Sequence, residues 1–195
     1  MARITRQTLM TLEAYAKARP EFRTRVLEHK QRRLLHLGDN VTLYFEDELT
    51  IRYQVQEMLR AERIFEEDAI QAELDAYAAL VPDGSNWKAT MMIEYPDPQQ
   101  RAVMLSKLIG IEDRVWVQVA GAARVYALAD EDCDRETDVK TSSVHFLRFE
   151  LEPGMMRALK HGASLSAGID HPNYDVRVEQ IARDIVAALA EDLST

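Results

Sequence analysis

Apolar residues recur at helical spacing through much of the first half of the chain. The spacing predicts one helix capped by Thr5 and a second helix that starts at Pro20 and ends near Gly38. A short strand follows at 41–46, and Asp47 then offers the cap of a long helix. The first half is therefore predicted to be mainly helical, with one strand inside it.

The second half changes to shorter apolar segments with the two-residue alternation of strands. The predicted strands are 87–95, two segments within 114–130 that turn at Gly121, 141–151 and 164–170. Short helices are predicted between them, and an amphipathic helix at the C-terminal end. The chain is therefore predicted to be α+β: a mostly antiparallel sheet of about six strands with helices packed on it, a helical N-terminal arm and a C-terminal helix.

The charge divides the chain unevenly. We predict a single domain over 1–195, made of a basic helical arm (1–37) and an acidic α+β body (38–195). Of the net charge of −9, residues 1–36 contribute +6 from nine Lys or Arg and three acidic residues, which leaves −15 for the remainder. The arm either binds phosphate, RNA or an acidic partner, or lies along the acidic body of its own chain. Nucleic-acid binding is the weaker expectation, because the sequence has no recognisable reading helix or aromatic-basic motif.

The single cysteine, Cys133, excludes an intrachain disulfide and a Cys-based zinc site. A reducing cytoplasm is the simplest location for such a chain. No apolar run approaches the roughly 20 residues that span a bilayer, so no membrane insertion is expected. The acidic stretch 130–136 alternates carboxylates as calcium loops do, but Arg135 occupies the glycine position and Thr141 the glutamate position of such a loop. We interpret the stretch as a solvated acidic loop, and a weak divalent-ion site is the lesser expectation.

His145 stands out because it lies on the apolar face of a predicted strand. In TSSVHFLRFEL, residues 141–151, strand alternation directs His145 to the same side as Leu147, Phe149 and Leu151. One interpretation is a core histidine that donates to a backbone carbonyl. The other is a metal ligand or general base.

Glu62 falls on the apolar stripe of the long helix, between Met58 and Phe65. A carboxylate on a buried face costs several kcal/mol unless it is paired or bound to a metal. One interpretation pairs Glu62 with an arginine, for which the candidates are Arg52, Arg60, Arg63 and Arg148. The other places a metal at Glu62, with His145 and Glu94 as further ligands, because iron and manganese commonly bind carboxylates and histidine.

His171 lies at the end of a predicted strand, between Asp170 and Pro172. It is either a ligand or base at a strand end, or part of a turn. The candidate catalytic residues are therefore His145 and Glu62. The candidate metal ligands are Glu62, His145, His171 and Glu94. A bound metal would activate water or dioxygen, whereas a metal-free site would use a histidine as general base.

Four segments are distinctive as a set: FEDELTIRYQVQEMLRAERIFEE, LVPDGSNWKATMMIEYPD, LIGIEDRVWVQV and KTSSVHFLRFEL. Together they resemble the uncharacterised bacterial family called domain of unknown function 3501. The resemblance runs from the first helix to about GIDHPNY, nearly the whole chain. It implies no established activity, cofactor or catalytic residue. Genes for such proteins often lie beside those for a rubrerythrin-like diiron protein and an iron–sulfur oxidoreductase, which implies a role near peroxide or redox metabolism.

Two main functional expectations follow. The first is a binding or accessory module of a bacterial redox or peroxide-response system, without an organic cofactor of its own. Its partner would be a rubrerythrin-like or iron–sulfur protein, as the resemblance implies, and an acidic body would dock a basic partner through charge. The second is a metal-dependent enzyme that uses iron, manganese or zinc at a carboxylate and histidine site. A homodimer is the default expectation for assembly.

Overall fold

The structure, a computed structural model, describes residues 4–129 and 140–194. The acidic stretch 130–136, with Cys133, lies outside the described residues. The described helices are α1 (Leu12–Gln31), α2 (Glu48–Glu62), α3 (Glu67–Ala78), α4 (Pro98–Lys107), α5 (Pro153–Lys160) and α6 (Arg183–Glu191), with 3-10 turns at Arg6–Thr8 and Glu112–Arg114. None of these helices has the length and apolarity needed to cross a membrane.

Every strand pair that the structure describes is antiparallel. The strands are β1 (Leu34–Leu37), β2 (Val41–Glu46), β3 (Asn86–Ile93), β4 (Val115–Val119), β5 (Val125–Tyr126), β6 (Leu128–Ala129), β7 (Val144–Glu150), β8 (Leu165–His171) and β9 (Tyr174–Val178). They form a five-stranded sheet of order β1-β2-β3-β7-β6 and a four-stranded sheet of order β5-β4-β8-β9. The α+β class with antiparallel pairing is confirmed, but the strands form two sheets instead of one.

Helix α1 is one continuous helix where the sequence pattern predicts two. It begins after Thr11 and runs through Pro20, so the second helix start predicted at Pro20 is wrong. Proline removes one backbone hydrogen bond from a helix interior. The apolar face continues on both sides of the proline, and its burial outweighs that loss. The buried residues of this face are Tyr15, Phe22 and Val26.

Strands β1 and β9 are absent from the sequence-based prediction. The four residues of β1 extend the helical apolar pattern, but the chain turns back into β2 through Gly38, whose φ of 73° glycine adopts readily. The predicted helical arm therefore ends in a strand of the first sheet. Strand β9 alternates half-buried and exposed residues, so its apolar signal is weak.

The apolar faces of the two sheets enclose one shared core. On one side, the chain passes from β5 in the second sheet directly into β6 in the first, and between them the Ala127 N–H donates to the Val115 carbonyl at 2.9 Å. On the other side, the Tyr174 hydroxyl donates to the Leu37 carbonyl at 2.7 Å and accepts from the Asn40 N–H at 3.1 Å. The sheets are therefore joined along two edges.

Helices α1, α2 and α3 form a separate layer with apolar clusters of their own. Helix α2 begins at Glu48 as predicted, because the Asp47 carboxylate accepts the Thr50 N–H at 2.9 Å and the Asp47 N–H donates to the Thr50 hydroxyl at 2.9 Å. The same helix packs Ile51, Val55 and Leu59 against α3. The predicted cap and the first three turns of the apolar stripe are confirmed.

The arginines of the N-terminal arm pair with acids from the rest of the chain. Among the described residues, these pairs are Arg6–Glu67, Arg19–Glu57, Arg33–Asp47 and Arg33–Asp192. The bidentate bond from Arg19 is the main reason that the pKa of Glu57 falls to about 2. These contacts favour the interpretation in which the arm lies along the acidic body of its own chain.

Candidate functional site

Strand β7 directs His145 into the core, as the alternation predicts. His145 is fully buried, and it lies opposite Met91 in the register between β7 and β3. Leu147 and Phe149 on the same face are buried as well. The structure therefore encloses the imidazole ring between the two sheets.

The His145 ring contacts two oxygens through one nitrogen. Its Nε2 lies 3.1 Å from the Ser142 carbonyl oxygen and 2.8 Å from the Thr141 Oγ1. A carbonyl oxygen only accepts hydrogen bonds, so Nε2 carries a proton and donates. His145 thus meets the description of a core histidine that donates to a backbone carbonyl.

A buried acid completes this cluster. The Thr141 hydroxyl donates to the Glu112 Oε2 at 3.5 Å, and the same oxygen lies 3.8 Å from the His145 Nε2. Glu112 and Thr141 are both buried. The hydroxyl therefore bridges the imidazole and the carboxylate, and the position of one proton affects both groups.

Sequence reasoning did not find Glu112 or Thr141. Glu112 lies in a 3-10 turn between α4 and β4, where no helical or strand period reports which way a side chain points. Thr141 precedes β7 and is buried through its contact with His145. A histidine on an apolar face was the available signal that a buried polar partner must exist.

Glu62 is not on a buried face, so this part of the prediction is wrong. Helix α2 ends at Glu62, and Arg63 adopts a left-handed conformation with φ of 55°. The apolar stripe therefore stops at Leu59, and both Glu62 and Phe65 are exposed. The acid that does join α2 to α1 is Glu57, which accepts the Tyr15 hydroxyl at 2.6 Å.

Glu94 and His171 occupy separate positions in the fold. Glu94 is exposed, and its Oε2 accepts the Thr42 hydroxyl at 3.1 Å. His171 is held by two backbone groups: its Nε2 donates to the Ile109 carbonyl at 3.1 Å, and its Nδ1 accepts the Asn173 N–H at 3.2 Å. His171 is therefore part of a turn that anchors the hairpin of β8 and β9.

The four predicted metal ligands do not come together. Over residues 4–129 and 140–194, the structure contains no group of three or more His, Cys, Asp or Glu able to hold a metal ion. The buried pair of His145 and Glu112 is a poor fit for a shared metal, because a ligating nitrogen must be unprotonated and the ring nitrogen near Glu112, Nε2, donates to the Ser142 carbonyl. The geometry instead suits a hydrogen-bonded polar link inside the core.

Replacing Thr141 with valine is expected to lower the free energy of unfolding by about 1 kcal/mol, because the isosteric side chain removes the bridging hydroxyl. Thr24→Val is the matched control, since Thr24 is exposed on α1 and donates to a helix carbonyl. The control should stay within about 0.5 kcal/mol of the wild type. Urea unfolding measures both, and an equal change in the two variants would contradict the bridge.

A groove of about 920 Å³ lies between α5 and α6. Its apolar wall comes from Leu159, Ile181, Val186, Ala187 and Ala190. The segment after α5 contributes two small residues to the lining of the groove, Gly162 and Ala163. Three charged residues line it as well: Lys160, Arg183 and Glu191. The volume falls within the range of protein binding pockets.

Helix α6 carries more apolar surface than the core covers. Residues 185–190 are six consecutive apolar residues. Leu189 packs into the shared core and Val186 packs partly against it, while Val186, Ala187 and Ala190 line the groove. Ala187 is exposed, and the other two are half-buried. The apolar side of this helix that faces the groove is therefore only partly covered by the described residues.

Comparison with known proteins identifies a family for this chain and a solved structure that is similar to it. A crystal structure at 1.90 Å of a protein of unknown function from Burkholderia pseudomallei K96243 shares 56% sequence identity and a TM-score of 0.95, over 99% of this chain and 100% of that one. No curated protein matches. The family described as "Protein of unknown function (DUF3501)" matches residues 3–193. The resemblance inferred from the four segments is thus confirmed, and the chain belongs to the DUF3501 family.

Proposed function

We propose that the chain is a protein-docking module, and that the groove between α5 and α6 receives an amphipathic helix of a partner protein. The observation that carries this proposal is the apolar side of α6 that faces the groove. A helix that is apolar on more sides than its fold buries has surface left for a partner. Recognition of a helix in a groove uses apolar anchors at positions i, i+3 or i+4, and i+7 of the incoming helix.

Charges along the groove determine the orientation of the partner. Arg183 is the first residue of α6 and Glu191 the last, which places them about 12 Å apart along the helix axis. Lys160, at the end of α5, lines the same groove. We expect the docked helix to carry an acidic side chain facing Arg183 and a basic side chain about two turns away, facing Glu191. Such pairs govern orientation and partner choice more than affinity.

We further propose that the partner belongs to a redox or peroxide-response system. The support for this setting is the family resemblance and the gene neighbours that it implies. The docking role and the redox setting are separate proposals, because the groove residues argue only for a helix of mixed charge. Identification of the partner tests the second proposal after the first.

Site-specific photo-crosslinking tests the docking role. A photoreactive amino acid in place of Ala187, expressed in the native host, is expected to give a protein adduct in several-fold higher yield than the same group in place of Ala102. Ala102 is an exposed alanine on α4 and serves as the matched position outside the groove. A second substitution, Ala190→Arg, should remove the adduct by filling the groove.

The crosslinked peptide decides the outcome. The proposal requires the adduct to map to an amphipathic helical segment of mixed charge in another protein. Equal yields at the two positions, an adduct that survives Ala190→Arg, a small-molecule adduct or an adduct to a second copy of this chain would each overturn it.

A further inference from the structure

Phe65 is the most exposed large apolar side chain among the described residues, at 61%. It lies in the connection between α2 and α3, on a different part of the chain from the groove between α5 and α6. A phenyl ring that is mostly in water loses the stabilisation that burial would give it. Its exposure therefore calls for a physical cause.

The backbone before Phe65 provides that cause. Arg63 is the one non-glycine residue with positive φ in the described chain, at φ 55° and ψ 47°. This left-handed conformation costs about 1 kcal/mol or more for a residue with a Cβ. The turn stops α2, and Phe65 projects into solvent before α3 starts at Glu67. Helices commonly end in a left-handed residue, and this ending leaves Phe65 in the short connection to α3 with its ring exposed.

A small pocket lies beside the exposed ring. Its volume is about 170 Å³, and it is lined by residues of the 6–13 segment, the end of α2, the start of α3 and Phe65 itself. The apolar lining includes Met10, Leu12, Leu59 and Ile70. An apolar cavity of about 150 Å³ is large enough to hold benzene. The pocket therefore has the size and the chemistry to accept one phenyl ring.

The charges around the ring and pocket are of both signs. Exposed arginines (Arg60 and Arg63) alternate with exposed glutamates (Glu62 and Glu66). At the edge of the pocket, Arg6 and Glu67 form an exposed pair at 2.8 Å, and Glu13 is a further lining residue. A surface with charges of both signs can associate with a second copy of itself so that opposite charges face each other. A partner of uniform charge would also bring like charges together on such a surface.

From these features we propose that two copies of the chain associate through this surface, each inserting Phe65 into the pocket of the other. An aromatic ring and a matching pocket on the same patch are self-complementary, which is what a two-fold interface requires. The Phe65 ring of each copy also lines the pocket of that same copy, so the two rings would lie next to each other in the dimer. Each ring would be buried by the association. One buried ring per subunit is a small core for an interface, so the dissociation constant is expected to be on the order of 10 μM.

Sedimentation equilibrium of the full chain tests the proposal. Between about 1 and 200 μM, the wild type should pass from monomer to dimer. Phe65→Ser should raise the dissociation constant at least about tenfold, the equivalent of about 1.4 kcal/mol. Glu13→Trp, which places a bulky ring at the pocket, should do the same. Val103→Ser is the matched control, because Val103 is 53% exposed on α4 and should leave the dimer intact.

Three results would overturn the proposal. A wild type that remains monomeric up to about 200 μM would assign the Phe65 surface to another occupant. A dimer that Phe65→Ser does not weaken would lie elsewhere on the chain. An equal loss in Phe65→Ser and Val103→Ser would show a non-specific association. Circular dichroism of each variant confirms that the comparison is between folded proteins.

Discussion

Replacing Arg33 with methionine is expected to lower the free energy of unfolding by about 3–5 kcal/mol. Arg33 is only 2% exposed. Its guanidinium donates to three backbone carbonyls, those of Phe45 at 3.0 Å, Glu46 at 3.3 Å and Ala188 at 3.3 Å. It therefore connects the end of α1 with the junction of β2 and α2 and with α6.

Two carboxylates explain the size of this effect. Arg33 pairs with Asp192 after α6 and lies 3.5 Å from Asp47, the cap of α2. Methionine would fill much of the volume but leave both acids without their main countercharge in a mostly buried site. Removing one member of a buried ion pair is costly for this reason. Arg32→Met is the control, because Arg32 is exposed and should change stability by less than about 0.5 kcal/mol.

The loss in Arg33→Met should depend on pH. Burial raises the pKa of Asp192 to about 6, although Arg33 opposes this shift. Burial also acts to raise the pKa of Asp47, but Arg33, the Thr50 N–H and His29 outweigh it and lower the pKa. Without Arg33, the pKa of Asp192 should rise further, and the pKa of Asp47 should lose the largest influence that lowers it. Ionising the two acids in the folded state then costs more as the pH rises, so Arg33→Met should lose more stability near pH 7 than near pH 5. Urea unfolding at both pH values measures the gap, and a gap that is constant or wider at pH 5 would contradict this account.

Gly168→Ala is expected to destabilise the fold by about 3 kcal/mol, at the upper end of the usual cost of overpacking. A Cβ at position 168 would lie 2.5 Å from the Trp116 Cζ2 and 2.5 Å from the Val176 carbonyl oxygen. The carbonyl is backbone of the neighbouring strand, and Trp116 is almost fully buried, so neither group can move without disturbing the second sheet. The Arg124 guanidinium also lies over the indole, at 4.0 Å from the ring centroid.

Gly154→Ala is the matched control for this substitution. Gly154 lies in the first turn of α5, and an added Cβ there would have no neighbour within 4 Å. Alanine should be neutral or slightly stabilising at such a position. Thermal or urea unfolding compares the two variants. A Gly168→Ala protein as stable as Gly154→Ala would mean that Trp116 does not lie against β8 as described.

Local rules in the sequence predicted the parts of the fold that depend on neighbouring residues. The start of α2 follows from Asp47 and Thr50, which satisfy each other's backbone N–H groups without help from the rest of the chain. The inward direction of His145 follows from the two-residue period of β7. The division into two sheets depends on β5 and β6, which belong to different sheets. Each has only two residues, so the sequence carries no pattern that would divide the segment into two strands.

The site required information that the sequence does not carry locally. Glu62 was assigned to a buried face because the helical period was continued through Arg63, where the helix in fact stops. Glu112 lies 33 residues before His145, and only the folded arrangement of β4 and β7 brings the two together. The sequence shows the apolar run of α6. Only the structure shows that the core buries Leu189 and that the run extends beyond the part of the helix that the core covers.

Hydrogen exchange on the partner complex tests the docking role most directly. With the partner identified by crosslinking at position 187, the backbone amides of α5 and α6 can be compared between the free chain and the purified complex. The account predicts strong added protection over 157–164 and 180–191, with α3 unchanged. A complex in which those two segments exchange as fast as in the free chain would contradict it.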